Sequence, residues 1–385
     1  MTGLMQLSAK MMISCPDAAR RRFDGALQCR GPCYGECLDF LGPGFAPQRL
    51  RVAARPGHES DIPSAPIDAP SIVPYAAVLS QHPIKTMMYL ETPPRLIETK
   101  LFSAMPDKFR RKGVRTDWAD ANRPNVPTDS FIEGPSFDKD GHLYIVDIPF
   151  GRIFRIAPDG EWSQVAEYEG WPNGLKIASD GRILVADYMH GIMEFDAQAG
   201  RVKPVLTARN SESFRGCNDL HLASNGDIYF TDQGQTGLHD PSGRVYRLAS
   251  NGRLDCLIDT GVSPNGLVLD PTETVLFVAM TRDNAVWRLP FMKDGSVSKV
   301  GRFCSLFGTS GPDGMTMDAK GRLFVGHASL GHVFVFAPNG ELIARIKSCA
   351  GPNCTNVAIG GEGKDRLYIT ESSTGSVLVA DIGGL

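Results

Sequence analysis

Short runs in which β-branched or aromatic residues alternate with smaller or polar ones recur along most of the chain, each opened by a glycine or a charged turn. They are GHLYIVD from Gly141, GRILVAD from Gly181, GDIYFTD from Gly226, TVLFVAM from Thr274, GRLFVGH from Gly321 and DRLYITE from Asp365. Successive starts lie 40, 45, 48, 47 and 44 residues apart. A second run follows each after a short turn (GRIFRIAP, GIMEFDA, GRVYRLA, NAVWRLP, GHVFVFA, GSVLVAD), and most units then carry a third run such as EWSQVAEY. A shorter apolar stretch precedes each unit: PSFD, GLKIA, DLHLA, GLVLD, GMTMD and NVAIG. Four strands per unit at this period predict the blades of a β-propeller, six in all, and none of these segments has the 3.6-residue period of a helix. The fold class expected is all-β.

The sixth unit ends at Leu385 after three strands. The expected fourth is Arg95–Met105 (RLIETKLFSAM), so that an N-terminal strand closes the ring and leaves no open sheet edge. Residues 1–86 read differently. They hold Arg20–Arg22, the CRGPCYGEC stretch and a proline-rich segment, and their apolar residues keep neither period, which predicts a largely disordered or spurious extension before a propeller over 87–385. Cys29, Cys33 and Cys37 recur every fourth residue there, a spacing unlike the CxxC-type pairs of zinc and iron–sulfur sites.

Composition narrows the class. A formal net charge of −3, from 40 basic and 43 acidic residues, supplies no field for nucleic acid. No stretch of 18 apolar residues offers a membrane span. Nine cysteines without a disulfide-scaffold spacing favour a reducing compartment, so the expected location is cytoplasmic. No obligate protein partner is evident, and a small-molecule substrate is expected.

The innermost strand of each blade lines the central channel. At or just before each such strand stand Glu133, Asn173, Asn218, Asn265, Asp313 and Asn356, every one eight or nine residues ahead of its repeat start, hence at one height on the axis. A single Asn-Gly is an ordinary turn signal. Six oxygen-bearing side chains in register would repel and be poorly solvated without a cation. All-oxygen ligation suits calcium first, with manganese and magnesium as alternatives and zinc less favoured. Asp147, Asp187, Asp232, His327 and Glu371 end the next strands at the same height, where capping roles are expected. The long loop from Gln233 to Gly243, with His239 and Asp240, is a candidate lid or an idle surface loop.

The string EGPSFDKDGHLYIVD, followed in order by GCNDL, SPNGL and GPDGM, resembles the gluconolactonase and senescence-marker-protein (regucalcin) family, which includes squid-type diisopropyl fluorophosphatase. The resemblance covers roughly 95–385 and implies a six-bladed propeller with a catalytic divalent metal, usually calcium. It implies metal ligation by Glu133, Asn265 and Asp313, with Asn218 as ligand or substrate-positioning group and Asp313 as base or nucleophile. Asn173 and Asn356 are expected to line the substrate site. The fluorophosphatase branch has a histidine where Ser372 stands, and ligands of a second calcium near Thr316 and Ala358, so that second site is expected to be absent. Sugar-lactonase members often carry arginine where Gly216 stands.

The implied reaction is metal-dependent lactone hydrolysis. Phosphotriester or aryl-ester hydrolysis by the same site, and a non-catalytic calcium-binding propeller, are the alternatives. Met87 and Met88 are natural starts for the folded region. Mass spectrometry of the protein expressed from its own gene is expected to find a chain beginning near there; an intact residue 1 would overturn that reading.

Overall fold

A computed structural model describes residues 92–385; the expectations for residues 1–86, including the three spaced cysteines, lie outside them. Six units of four antiparallel strands, the fifth with one further strand added parallel at its outer edge, follow one another in the order of the sequence repeats. Their inner strands are Ile132–Phe137, Pro172–Ile177, Cys217–Leu222, Pro264–Leu269, Pro312–Met317 and Cys354–Gly360. The repeat motifs themselves form the second strands, from Leu143–Asp147 in the first blade to Arg366–Glu371 in the sixth. The fold is a six-bladed propeller.

Blade packing follows from the two-residue period. The second strands are buried on both faces, as in Ile183–Asp187 and Val275–Met280, so they read as continuous apolar runs. Outer strands such as Arg201–Leu206 are mostly exposed, with half-buried positions at Val202 and Leu206. Between neighbouring blades the sheets interdigitate; Tyr144, Val146, Leu175 and Val185 share one cluster across the first two. The last blade meets the first through Ser372 Oγ, which donates to the Ile132 carbonyl at 2.6 Å, with Thr355 Oγ1 bridging the same carbonyl at 3.4 Å.

The segment Arg95–Met105 does not form one strand. Arg95–Glu98 runs parallel to Leu342–Lys347 on the outside of the fifth blade, and Lys100–Ala104 runs antiparallel to Ser376–Asp381 as the outer strand of the sixth. Thr99 divides them, its Oγ1 donating to the Lys347 carbonyl at 2.9 Å and accepting from the Cys349 amide at 2.8 Å. A short helix, Asp117–Asn122, also has no counterpart in the sequence pattern. It is too short to display a helical period; Thr116 caps it and Trp118 anchors it, 4.9 Å from the Phe131 ring.

Among the described residues no helix is long and apolar enough to cross a membrane. Cys217, Cys256, Cys304, Cys349 and Cys354 are all free thiols.

Close approach of the inner strands depends on glycines at the axis. A Cβ on Gly266 would lie 2.4 Å from the Asp313 carbonyl oxygen, and one on Gly134 would lie 2.5 Å from that of Asn173. Because backbone atoms cannot yield, Gly266→Ala is expected to destabilise by about 2 kcal/mol or more. Gly301→Ala, with open space around it, should stay within roughly 0.5 kcal/mol of the parent. Urea-unfolding midpoints of the two variants check this.

Candidate metal centre and active site

Every inner strand is irregular at the same place. Pairing with the second strand shifts register between Glu133 and Ser136, Pro172 and Gly174, Cys217 and Leu220, Pro264 and Leu267, Pro312 and Met315, and Cys354 and Asn356. A bulge re-aims a side chain that regular pleating would send to a blade face. All six shifts adjoin the hub residues of the sequence pattern.

Glu133, Asn173, Asn218, Asn265 and Asn356 are buried, whereas Asp313 keeps part of its surface open. Their hydrogen bonds divide them. Glu133 accepts from the Gly134 amide through Oε2 at 2.8 Å. Asn218 Nδ2 donates to Gln233 Oε1 at 2.8 Å, and Gln233 Nε2 donates to Ser263 Oγ at 3.0 Å. That relay holds the Asn218 amide by its nitrogen and leaves its carbonyl oxygen available. The Asn265 side chain lies near the Asp313 carboxyl and favours its charged form. Asn356 is different: its Oδ1 accepts from the Val357 amide at 2.8 Å and its Nδ2 points to Asp219 Oδ2 at 3.3 Å, so its oxygen is already engaged. For Asn173 the strand position carries it to the hub, where its backbone carbonyl abuts Gly134.

Two hub side chains escaped the sequence reading. Asp219 is buried beside Asn218, in the place where Glu133, Asn173, Asn265 and Asp313 are each followed by glycine. Gln233 begins the long loop of the third blade, whose Gln235 also reaches the Tyr188 hydroxyl at 2.9 Å. Nothing in one sequence marks either residue, except that Asp219 breaks the glycine pattern.

Electrostatics follow from enclosure. Burial pushes the Glu133 carboxyl up to about 7; the Gly134 amide opposes this and the charge of Asp219 adds to it. Burial, then the charges of Glu133 and Asp219, hold Asp313 well above the ordinary carboxylate range. Among the described residues no three side chains drawn from His, Cys, Asp and Glu converge as a metal-binding group. A cation at the hub would therefore be held by two carboxylates supplemented by amide oxygens. Mutually repelling, enclosed carboxyls with all-oxygen neighbours fit a hard divalent ion.

The strand-end residues serve the loops. Asp147 Oδ1 accepts from the Phe131 amide at 2.7 Å, Asp187 Oδ1 from Met189 and His190, and Asp232 Oδ1 from Arg215 and Gly216. Glu371 binds the Asn353 amide at 3.0 Å, and His327 pairs with the Phe307 carbonyl at 2.8 Å. Of the loop tips, Asp240 lies 3.6 Å from Arg215, and the His239 ring packs against Gly237. At Gly216 the Tyr188 ring occupies the space a side chain would take, with Cζ 2.4 Å from a built Cβ. A cavity of about 1240 Å³ opens at the opposite end of the channel; its lining includes Ser136, Lys176, His221, Val268, Thr316 and Ala358, one from each inner strand, and none of the hub carboxylates.

A propeller with an acid–amide ring on its axis defines the class, and comparison places the chain within it. The protein belongs to the family described as the SMP-30/gluconolactonase/LRE-like region, whose model matches residues 131–373. A gluconolactonase of Zymomonas mobilis is 31% identical over 274 residues, 62% of this chain and 76% of its own. A lactonase of Staphylococcus aureus is 29% identical over 227 residues, 56% of this chain and 69% of its own. In fold, a calcium-binding regucalcin of Agrobacterium tumefaciens superposes with a TM-score of 0.60 at 20% identity, covering 75% of this chain and 96% of that one. A gluconolactonase of Xanthomonas campestris gives 0.59 at 22%, covering 74% and 98%.

The raised Glu133 carboxyl has a consequence for ion-free protein. A folded pKa near 7 against an ordinary 4.5 means the folded state holds a proton the unfolded state has released between those values. This contribution is fully present below pH 4.5 and is lost as the pH rises through about 7. Thermal unfolding of chelator-treated protein between pH 5 and 8 is expected to show that loss, and Glu133→Gln should flatten it.

Proposed function

We propose that the protein is a divalent-cation-dependent lactonase, opening a lactone ring to the hydroxy acid, with calcium as the preferred ion. The observation that carries this is the contrast between the two hub carboxyls. Glu133 is enclosed at 4% exposure, while Asp313, set among the same charges, is only partly buried. An enclosed acid anchors; an open one can meet water and substrate.

Glu133, Asn218, Asn265 and Asp313 are the proposed ligands, and the bound ion would supply Lewis acidity to the lactone carbonyl oxygen. Asp313 takes the proton of the attacking water as oxygen adds to the carbonyl carbon. It returns that proton to the ring oxygen as the C–O bond breaks. A carboxylate close to a cation is a weak base, so holding the water and the ester in line supplies much of the effect. Gln233 contributes by fixing the Asn218 amide, and Asn173 and Asn356 line the substrate space.

The lactonases among the relatives support the substrate class, and the calcium-binding fold neighbour supports the ion. The partial openness of Asp313 favours catalysis over a closed binding site. Hydrolysis of aryl esters or phosphotriesters by the same group is the second reading. The proposed partner is a small lactone, with neither nucleic acid, membrane nor obligate protein partner. The unpaired thiols agree with a cytoplasmic setting.

Asp313→Asn is expected to lower lactone turnover by roughly a hundredfold or more. Glu133→Ala should chiefly raise the ion concentration needed for half-maximal rate. Proton release in a pH-stat with an aldonolactone, dihydrocoumarin and an acyl-chain γ-lactone checks both; full activity of both variants would refute the assignment.

A further inference from the structure

The turn Thr281–Asp283 follows the second strand of the fourth blade, at the hub end of the channel, and is fixed on both sides. The Thr281 amide donates to the Ser263 carbonyl at 3.0 Å, and its Oγ1 donates to the Pro312 carbonyl at 2.8 Å, which sets Arg282 beside Asp313. Asn284 Nδ2 donates to the Gly308 carbonyl at 3.1 Å. The long loop of the third blade comes to the same place. Thr236 Oγ1 accepts from the Ser263 amide at 3.2 Å, and a Cβ built on Gly237 would lie 3.8 Å from Arg282 Cβ and 3.2 Å from His239 Nδ1. The acids near this turn are engaged by other partners. Asp283 accepts from Arg302 at 2.6 Å and from the Trp287 indole at 2.8 Å, and Asp240 pairs with Arg215 at 3.6 Å. Arg282 is exposed, and among the described residues its guanidinium has no ion pair and no hydrogen bond. Burial and the charges of Glu133 and Asp219 raise the Asp313 carboxyl, and the charge of Arg282 pulls against them, as its nearness requires.

We propose that Arg282 is a specificity residue, selecting lactones that carry an anionic substituent, a carboxylate or a phosphate, next to the ring. A guanidinium without an acid partner presents a planar fork that either group can accept from twice, whereas a neutral hydroxyl accepts one weaker bond. A ring held at Asp313 brings a substituent on the carbon beside its oxygen to Arg282. Because the turn is tied to Ser263, Pro312 and Gly308, its backbone is set before substrate arrives and little ordering remains to be done. The role is one of binding: Arg282 holds the substituent and takes no part in opening the ring.

This deepens the lactonase reading above and rests on it. Steady-state ring opening with calcium present would compare a matched pair, 5-oxotetrahydrofuran-2-carboxylate and the corresponding carboxamide, on wild type, Arg282→Gln, Arg282→Lys and Arg282→Glu. Wild type is expected to show a KM about tenfold lower for the carboxylate than for the carboxamide. Arg282→Gln should abolish that preference, through KM rather than kcat, Arg282→Lys should keep part of it, and Arg282→Glu should reverse it. Added salt should narrow the wild-type preference, because the contact is exposed. Equal KM values for the two lactones in wild type overturn the inference. So does an Arg282→Gln variant that loses activity on both alike with a displaced pH profile, since Arg282 would then act only through Asp313. Calorimetry with 2-hydroxyglutarate, the ring-opened carboxylate, separates the two readings. A wild type that opens no lactone, yet binds this anion about tenfold more tightly than Arg282→Gln does, contradicts the lactonase reading and upholds anion recognition by Arg282. Equal binding by both proteins contradicts the latter.

Discussion

Six inner strands can meet on one axis only if something occupies the place where they converge, and here that place is filled by charge and amide rather than by hydrocarbon. Enclosing carboxyls at the hub costs free energy, as the upward displacement of Glu133 and Asp313 shows. The cores between blades offset that cost: each is a closed cluster of aliphatic and aromatic side chains. Stability therefore resides between the blades and the unfavourable chemistry is confined to the axis. A bulge in each inner strand makes that division by turning one residue out of the blade face and toward the channel.

The channel then has two unlike storeys. The upper one holds the acids and amides, capped by loops that the buried strand-end residues clamp by their amides and carbonyls. The lower one sets Lys176 and His221 among neutral side chains and widens into a cavity whose lining also includes charged residues such as Asp138, Asp180 and Asp318. The catalysis proposed above falls in the first, where a partly buried carboxyl and oriented amides stand together. Gln233 shows how the loops serve the site, since it sets the orientation of Asn218 from outside the repeat.

The repeat was legible because each second strand is a short β-branched and aromatic run opened by a turn, and the hub was legible because its six residues recur eight or nine positions ahead of it. What the periodicity could not carry is what departs from it. Asp219 stands where four blades have glycine, and Lys176 lies on a strand whose alternation predicts only an inward position, not its approach to 3.9 Å from Asp219 on the neighbouring blade. Gln233 belongs to a loop that is longer than its counterparts in the other blades and so falls outside the repeat. The short helix at Asp117 falls below one detectable period, and the N-terminal strand divides at Thr99 through hydrogen bonds to residues some 250 positions distant in sequence. Family membership extends the hub reading to lactone chemistry, but the Tyr188 ring over Gly216 makes this pocket its own.

The most direct measurement is lactone ring opening by chelator-stripped wild-type protein as calcium is restored, with manganese, magnesium and zinc run in parallel. Activity should vanish on chelation and return in proportion to a single bound equivalent, most efficiently with calcium. Undiminished hydrolysis in the stripped protein, or stoichiometric binding with no ring opening of any lactone, would contradict a catalytic cation held between Glu133 and Asp313.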